Sequence, residues 1–341
     1  MRQLAIPSRV QLAPHDAVSV EAEPPASRSA LYTLAGFKAA FTFAQVMPRA
    51  ACQWLAPRIA LASYHRRAQV RSALEGNLHR VTGLSGEALQ KLCRENVASF
   101  GRMLADYFLC AGMNAAPRAS RLLEEWRGLD HLEAARARGH GTIVVTAHLG
   151  HWELGGITLA QHGWPLTVVT LEEPSTGLTR WRDACRAHLG IRTIAVGPGH
   201  PFSFVELIQT LRRNELVAML VDRPYAGTGA PVNFFGAQTE FSTAPALLAH
   251  HTGAAVLPAF VLQKPSGRYV SFADPRIELI EDKDPRRALG DNTRRIATIF
   301  EAIIRAHPTN GSTTCRSGMP PRPLSEAPRG RKSDCHHRTP A

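Results

Sequence analysis

The sequence lacks a clean run of about 20 apolar residues, the length that a membrane-spanning helix needs. Its best stretch, Leu31 to Ala62, is broken by Lys38, Pro48, Arg49, Pro57 and Arg58. It also lacks a C-x-x-C pair. The six cysteines are scattered, and the first 30 residues have no apolar core of a secretory signal. Free thiols in a reducing compartment are therefore expected, not a disulfide framework. There is no G-x-S-x-G elbow, which excludes the usual serine acyl-enzyme, and no H-E-x-x-H helix of a zinc protease. Gly197-Pro-Gly199 and Gly227-Thr-Gly229 fall short of a dinucleotide fingerprint and read as turns. Acidic residues are scarce, 28 against 40 basic ones, for a net charge of +12. Such a surface suits an anionic partner: nucleic acid, an anionic membrane, or an acidic substrate or carrier.

What is present is an ordinary globular composition, 44% hydrophobic and 20% charged, in 341 residues. A chain of this length buries a core without cross-links. Residues 1–28 hold four prolines and no apolar period, and read as a loose leader. Residues 29–139 read as a helical region. Within it the segment Leu31–Ala62 combines Leu31, Leu34, Phe37, Phe41, Phe43, Val46 and Trp54 with scattered cations, as an interfacial helix does and as soluble core helices also do. Ser85 stands where a helix cap is expected, ahead of Leu89, Leu92, Val97 and Phe100 at helical spacing.

The pattern changes at Gly139. Short β-branched runs recur at Thr142–Ala147, Leu166–Thr170, Arg192–Val196, Leu216–Val221 and Ala255–Val261, with a further one at Tyr269–Phe272. Helix-length stretches separate them, near 151–162, 176–189, 202–213 and 243–252, and Pro285–His307 is one more helix. The alternation predicts an α/β fold with a mostly parallel central sheet and flanking helices over residues 140–310. Residues 311–341 hold six basic residues, two acids, five prolines and few bulky apolar side chains, and read as a disordered basic tail.

Ligands bind beyond the carboxyl ends of strands in such sheets. The segment Thr142-Ile-Val-Val-Thr-Ala-His148-Leu-Gly-His151-Trp-Glu153 ends a strand at His148 and starts a helix near Trp152. Three readings fit it. His148 can act as a general base with Glu153 orienting the ring. The polar residues can cap the turn. His148, His151 and Glu153 can hold a zinc ion.

The H-x-x-x-x-E spacing around Gly150 and Trp152 resembles the signature of the bacterial lipid A lauroyl/myristoyl acyltransferase family, within the lysophospholipid acyltransferase-like group. Asn77-Leu78, Leu220-Val-Asp222-Arg223, Phe234-Phe235-Gly236 and Ala255-Val-Leu-Pro258 are similar to further blocks of that family, in order, over residues 30–310. The resemblance implies transfer of a fatty acyl chain from an acyl carrier protein or CoA thioester to a hydroxyl of a glycolipid or lysolipid, with no cofactor and no metal. It implies His148 as base and Glu153 as its orienter. It implies a pocket formed by Arg186, Arg182, Asp222, Arg223, Phe235 and Gly236. Asp222 ends an apolar strand, where an unpaired carboxylate is costly, so a partner such as Arg223 or Arg186 is expected. It implies an enzyme of the cytoplasmic face of a bacterial inner membrane, peripheral or monotopic, that meets an anionic lipid surface and no nucleic acid. A nucleic-acid binder with a basic tail and an inactive membrane-associated relative are the alternatives; the first has no recognised binding motif. The sequence departs from the family at His151, where Asn is usual, at Ser242-Thr243-Ala244, which lacks a glycine, and after Thr309, where a P-x-Q-W motif is replaced. The last departure suggests a reading-frame change near Thr309.

Overall fold

The computed structural model describes residues 33–112, 115–171, 176–197, 199–224 and 229–311. The leader and residues 312–341 of the basic tail lie outside them. Four helices open the described chain: α1 (Leu34–Val46), α2 (Arg49–Arg66), α3 (Ala68–Thr82) and α4 (Gly86–Leu109). Ser85 is the residue that precedes α4, without a side-chain cap bond. α2 crosses α4 at close range. A Cβ on Gly101 would come within 2.9 Å of the Pro57 Cα, so only glycine allows the approach. Phe37, Phe108 and Leu178 fill the space between α1, α4 and the later helices. Full burial of Phe37 contributes roughly 2–3 kcal/mol.

The expected helical region is not helical throughout. After α5 (Ala115–Leu122) comes β1 (Leu123–Arg127), which joins the main sheet, and then α6 (Leu129–Ala137). The run Leu123-Glu-Glu-Trp-Arg is too polar to signal a strand. It is an edge strand whose Glu125 and Arg127 bond each other outside.

The remaining strands are β2 (Thr142–Thr146), β3 (Leu166–Leu171), β4 (Ile191–Val196), β5 (Leu216–Leu220), β6 (Gly229–Phe234), β7 (Ala237–Ser242), β8 (Ala255–Gln263) and β9 (Tyr269–Ala273). The main sheet runs β1-β9-β8-β2-β5-β3-β4. From β8 to β4 every pairing is parallel; β9 is antiparallel to β8 and β1 is parallel to β9. Helices α7 (Trp152–Gln161), α8 (Thr176–His188), α9 (Ser203–Arg212), α10 (Ala244–Thr252) and α11 (Pro285–Ala306) complete the fold. This is the α/β architecture with a mostly parallel sheet that the alternating runs predict.

Both faces of the sheet are covered, which is why its strands are apolar on both sides. Ile143, Val145 and Ala147 enter one core, with Leu211, Leu248 and Phe300 from α9, α10 and α11. Val144, one residue out of phase, enters the other, with Leu132, Leu154 and Ile157 from α6 and α7. The β6–β7 pair is a separate two-stranded hairpin. Cys52, Cys93, Cys110 and Cys185 are free thiols. Among the described residues, no helix is long and apolar enough to cross a membrane.

Candidate active site

β2 and β5 are neighbours in parallel register, with Thr146 opposite Leu220. The Val221 N–H donates to the Thr146 carbonyl at 3.0 Å, extending the ladder one step. Two residues beyond the Thr146–Leu220 pair, each strand places one polar side chain at the sheet edge: His148 and Asp222. His148 Nδ1 lies 3.0 Å from Asp222 Oδ1 and 3.2 Å from Oδ2. The His148 backbone N–H also donates to Asp222 Oδ2, at 3.2 Å. An ionised carboxylate only accepts, so this geometry assigns the proton to Nδ1 and leaves the Nε2 lone pair for another partner. Burial pushes the Asp222 carboxyl up, but the hydrogen bond and charge of His148, with the charge of Arg223, outweigh it. The net result lies below the ordinary carboxylate value. Both side chains remain partly open, at 25% and 15% exposure.

The turn after His148 is held from two sides. Gly150 adopts φ 64°, and a Cβ there would sit 1.9 Å from the Val261 carbonyl oxygen. The Gly150 N–H donates to the Asn310 carbonyl and the His151 N–H to the Val261 carbonyl, both at 2.8 Å. Asn310 is itself bonded to the Gln263 backbone, and Gly311 bridges to Leu149. The chain is thus packed through Gly311, past Thr309 where the family pattern is lost, so the first residue of the expected tail is held against the His148 turn.

Glu153 does not meet His148 as its orienter. Its two oxygens accept from Arg186 Nε, at 3.3 Å, and from Arg186 Nη2. Adjacent residues of a helix point about 100° apart. Trp152 is the one turned to the imidazole, with ring centroids 5.3 Å apart, so Glu153 faces α8. Burial raises the Glu153 carboxyl, and Arg186, Arg182 and His151 together bring it below the ordinary value. Arg186 is correspondingly held above its own: burial lowers it, and the Glu153 charge and hydrogen bond more than reverse this. Arg186 is therefore part of a half-buried ion pair with Glu153, not the partner of Asp222.

His151 caps α7, with Nδ1 accepting from the Leu154 N–H at 3.2 Å. It is 1% exposed, and burial drives its pKa down to about 4 against smaller opposing contributions from Asp106 and Glu153. The ring is neutral at physiological pH, so the pH sensitivity expected from a histidine here moves to acid. Because His148 goes to Asp222, Glu153 to Arg186 and His151 to a backbone amide, the three groups of the zinc reading each have a separate partner.

Arg182 packs its guanidinium over the Phe37 ring at 5.1 Å and the Tyr107 ring at 5.9 Å. A cavity of about 20 Å³ lies between Tyr107, His151, Glu153, Ile157 and Arg186, with room for one water but not for an acyl chain. Burial raises the Cys110 and Cys185 thiols beside it to about 12 and about 11, which keeps both protonated. Arg223 stands exposed next to Asp222.

Phe235 and Gly236 fall elsewhere. They form the tight turn of the β6–β7 hairpin, with φ 51° and 75°, as a two-residue turn between antiparallel strands requires. The open end of the hairpin reaches the site, where Ser242 N–H donates to Val221 O. The turn is five residues away along β6, roughly 17 Å. There the Phe235 N–H donates to Glu301, and Arg305 stacks on the Phe235 ring at 5.1 Å. These two residues fasten the hairpin to α11.

The sequence places Asp222 at the site and predicts Arg223 or Arg186 beside it; Arg223 does add its charge, and the hydrogen-bond partner is His148. The signal was available: both strands are apolar runs that end in one ionisable residue, and adjacent parallel strands bring such ends together. A buried network of Arg49, Asp106 and Tyr269 left no such signal. Arg49 Nε and Nη2 hold the two Asp106 oxygens at 2.8 and 2.9 Å, and the Tyr269 hydroxyl donates to Asp106 at 2.9 Å. It joins α2 and α4 to β9, next to the His151 ring, which lies 5.4 Å from that of Tyr269.

The chain is similar to a phosphatidylinositol mannoside acyltransferase of Mycobacterium tuberculosis (strain CDC 1551 / Oshkosh), 35% identical over 199 residues, 58% of this chain and 63% of the relative. The protein of the same name from Mycolicibacterium smegmatis is 29% identical over 224 residues, 65% of this chain and 72% of the relative. The match thus spans less than two thirds of the length of the M. tuberculosis relative. The family model described as bacterial lipid A biosynthesis acyltransferase covers residues 27–310, most of the chain, and the chain belongs to that family.

Proposed function

We propose that this chain is an O-acyltransferase that moves a fatty acyl group from a thioester to a hydroxyl of a glycolipid at a membrane surface. The observation that carries the reading is the His148–Asp222 pair at the carboxyl edge of the sheet. Asp222 accepts the Nδ1 proton and supports positive charge on the ring. Nε2 then takes the proton of the acceptor hydroxyl as its oxygen bonds to the thioester carbonyl carbon. When the C–S bond breaks, the imidazolium returns that proton to the leaving thiol. No acyl-enzyme is required, in keeping with the lack of a serine elbow.

In this reading Glu153 and Arg186 do not move protons. They join the start of α7 to α8 and so set the angle at which the His148 turn leaves the sheet. The donor is an acyl carrier protein or CoA, both acidic, and a chain with a net charge of +12 attracts either. The acceptor class follows the relatives, which are acyltransferases of a mannosylated phosphatidylinositol. The place of work is the cytoplasmic face of a bacterial inner membrane, where thioester donors are made. The helices at the start of the described chain provide the peripheral contact.

The test uses the full chain, a glycolipid in detergent, and an acyl-CoA or acyl-carrier thioester. Free thiol is measured alongside the lipid mass, which should rise by one acyl residue. The His148→Ala protein should transfer at least about 10²-fold more slowly, the lower end for loss of a general base, with an unchanged melting curve. Transfer at the parental rate by that variant would remove the proposal.

A further inference from the structure

The hydrogen bonds that hold the His148 turn continue past it, into a chain of polar groups that the proton transfer does not use. After α11 comes one turn of 3-10 helix, Pro308–Asn310. Its last residue, Asn310, is bound by both ends of its side-chain amide to one residue of β8. The Gln263 N–H donates to Asn310 Oδ1 at 2.6 Å, and Asn310 Nδ2 donates to the Gln263 carbonyl at 3.3 Å. Gln263 is itself fixed. Its Oε1 accepts from Ser99 Oγ at 2.9 Å and from Arg102 Nε at 3.3 Å, and its Nε2 donates to the Tyr269 hydroxyl at 3.3 Å. That hydroxyl donates onward to Asp106, which Arg49 clamps. The turn is also held to α4, where Asn96, 3% exposed, donates from Nδ2 to the Pro308 carbonyl at 2.8 Å.

An amide gripped at two points fixes the side-chain torsions of its residue. The Asn310 N–H is held as well, by the His307 carbonyl at 3.0 Å. Together these bonds aim the Asn310 carbonyl at the Gly150 N–H, 2.8 Å away. That N–H belongs to the peptide between Leu149 and Gly150, and only Leu149 separates it from His148. Gly150 stands at φ 64°, and glycine takes positive and negative φ about equally well, so bonds from outside must choose. The bond from His151 to Val261 fixes the peptide after Gly150, and the bond from Gly150 to Asn310 fixes the peptide before it. Without the second, the Leu149–Gly150 peptide plane can rotate and carry His148 with it. The catalytic pair has little slack. His148 Nδ1 lies 3.0 Å from Asp222 Oδ1, and about 1 Å more would take it out of hydrogen-bond range.

We propose that Asn310 is a positioning residue for the transfer reaction. Its side chain takes its place from β8 at Gln263, and its carbonyl passes that place to His148 through Gly150. The kinetic side of the proposal rests on the acyl-transfer reading above; the structural side does not. Asn292 provides a matched comparison. It grips Ile280 in the same two-point way, at 2.7 and 2.9 Å, and is 4% exposed. It lies inside α11, roughly 20 Å along the helix from its C-terminal end, and so away from the His148 turn.

Asn310→Ala and Asn292→Ala each remove one such grip, so both should lower the melting temperature by a similar few degrees. They should part in kinetics, measured on the full chain with an acyl-CoA and a glycolipid in detergent. Asn310→Ala should lose about 10²-fold in kcat with KM within about twofold of the parent, the cost of about 1 Å of misplacement. Asn292→Ala should keep kcat within about twofold. A second measurement needs no substrate. The ring-nitrogen resonances of isotope-labelled histidine, assigned to His148 by their absence in His148→Gln, report which nitrogen carries the proton. The parent and Asn292→Ala should show it on Nδ1, and Asn310→Ala should show a mixture. Asn310→Asp keeps the test open if Asn310→Ala does not fold. A protonated carboxyl can accept from the Gln263 N–H and donate to its carbonyl, whereas an ionised one can only accept. The kcat of Asn310→Asp, divided by that of the parent at each pH, should therefore rise toward one as pH falls from about 8 to about 5.5. Equal kcat in the two alanine variants overturns the proposal. So does an unchanged His148 tautomer in Asn310→Ala, which would make Asn310 a fastening of the chain alone, and so does a flat ratio for Asn310→Asp. A parent that transfers no acyl group, while Asn310→Ala still mixes the tautomers, removes the acyltransferase reading and leaves the positioning intact.

Discussion

Two half-buried carboxylates lie on either side of the first turn of α7, and they differ in what they hold. Asp222 faces an imidazole, whose second ring nitrogen can take up and release a proton; Glu153 faces a guanidinium, which has no such lone pair. Both acids are held ionised below their ordinary values against the pull of burial. Only the first pair can pass a proton on. The second can only fix positions, and it does so between α7 and α8, while the first joins the tips of two adjacent strands. Partner chemistry, not burial or the acid's own pKa, separates a proton-moving pair from an anchoring one.

The sharpest way to break this comparison is to remove each charge without changing shape. Asp222→Asn keeps the size of the side chain but offers an amide to Nδ1, so the ring can present the wrong tautomer to substrate. The expected loss in kcat is about 10³–10⁴-fold, the magnitude known when an orienting carboxylate behind a catalytic histidine is neutralised. Thermal unfolding should shift by only a few degrees. Steady-state kinetics on the purified variant decide the matter, and a loss below tenfold would reassign the histidine's partner.

Glu153→Gln should do the reverse. It leaves Arg186, 14% exposed, with only the outlying Asp183 carboxylate, 3.9 Å away, as counter-charge, and breaking such a pair costs about 3–5 kcal/mol. The melting temperature should fall by roughly 10 °C. Glu153→Gln combined with Arg186→Met should recover most of that loss, since no stranded charge remains. If the single variant instead keeps its stability and loses transfer as Asp222→Asn does, Glu153 belongs with the proton-moving machinery.

The legibility of these two pairs differed for a physical reason. Strand and helix positions follow from apolar period, a local property, so β2 to β5, β8 and their helices stand within one or two residues of the expected ends. The exceptions are β1, whose polar edge position hides it, and the β6–β7 hairpin, whose mixed polar strands carry no buried apolar run. His148 was legible because a lone histidine at the tip of a buried strand has few bland uses. Its partner was not, because five residues of sequence separation suggest a contact that helix geometry denies: Trp152 takes the place beside the ring. The Arg49–Asp106–Tyr269 clamp joins residues 57 and 163 positions apart, and nothing in one sequence marks such a pairing.

His151 sharpens the comparison from the side of pH. Its folded pKa is lowered to about 4, from an ordinary 6.5. In the unfolded chain it takes up a proton as pH falls below about 6.5, while in the folded one it resists until about 4. Stability should therefore fall by roughly 3 kcal/mol across that window. The two carboxylates behave differently. Their lowered values keep their stabilisation complete above about pH 4.5, and it is lost only as pH drops further. Over the span from 6.5 to 4.5 the carboxylates are thus silent, and the fully buried His151 outweighs His307, whose value burial also lowers. His151→Asn keeps a side chain able to cap α7 and should flatten the urea-unfolding free energy over that span. A slope that persists in the variant would assign the proton uptake to another group.

The smallest expected effect lies at the far end of the hairpin. Phe235 adopts φ 51°, a conformation that costs a bulky L-residue about 1–2 kcal/mol and that Asn tolerates. Phe235→Asn relieves this strain but gives up the half-buried ring against Phe234 and Arg305, a loss of similar size. Stability should change by less than about 1 kcal/mol. The turn is roughly 17 Å along the strand from the Ser242–Val221 contact, so kcat/KM for acyl transfer should stay within about twofold of the parent. A large rise in KM would return Phe235 to the acceptor pocket that the family resemblance implied. Unchanged kinetics would leave the hairpin's open end, where it meets Val221, as the only part of that block next to the chemistry.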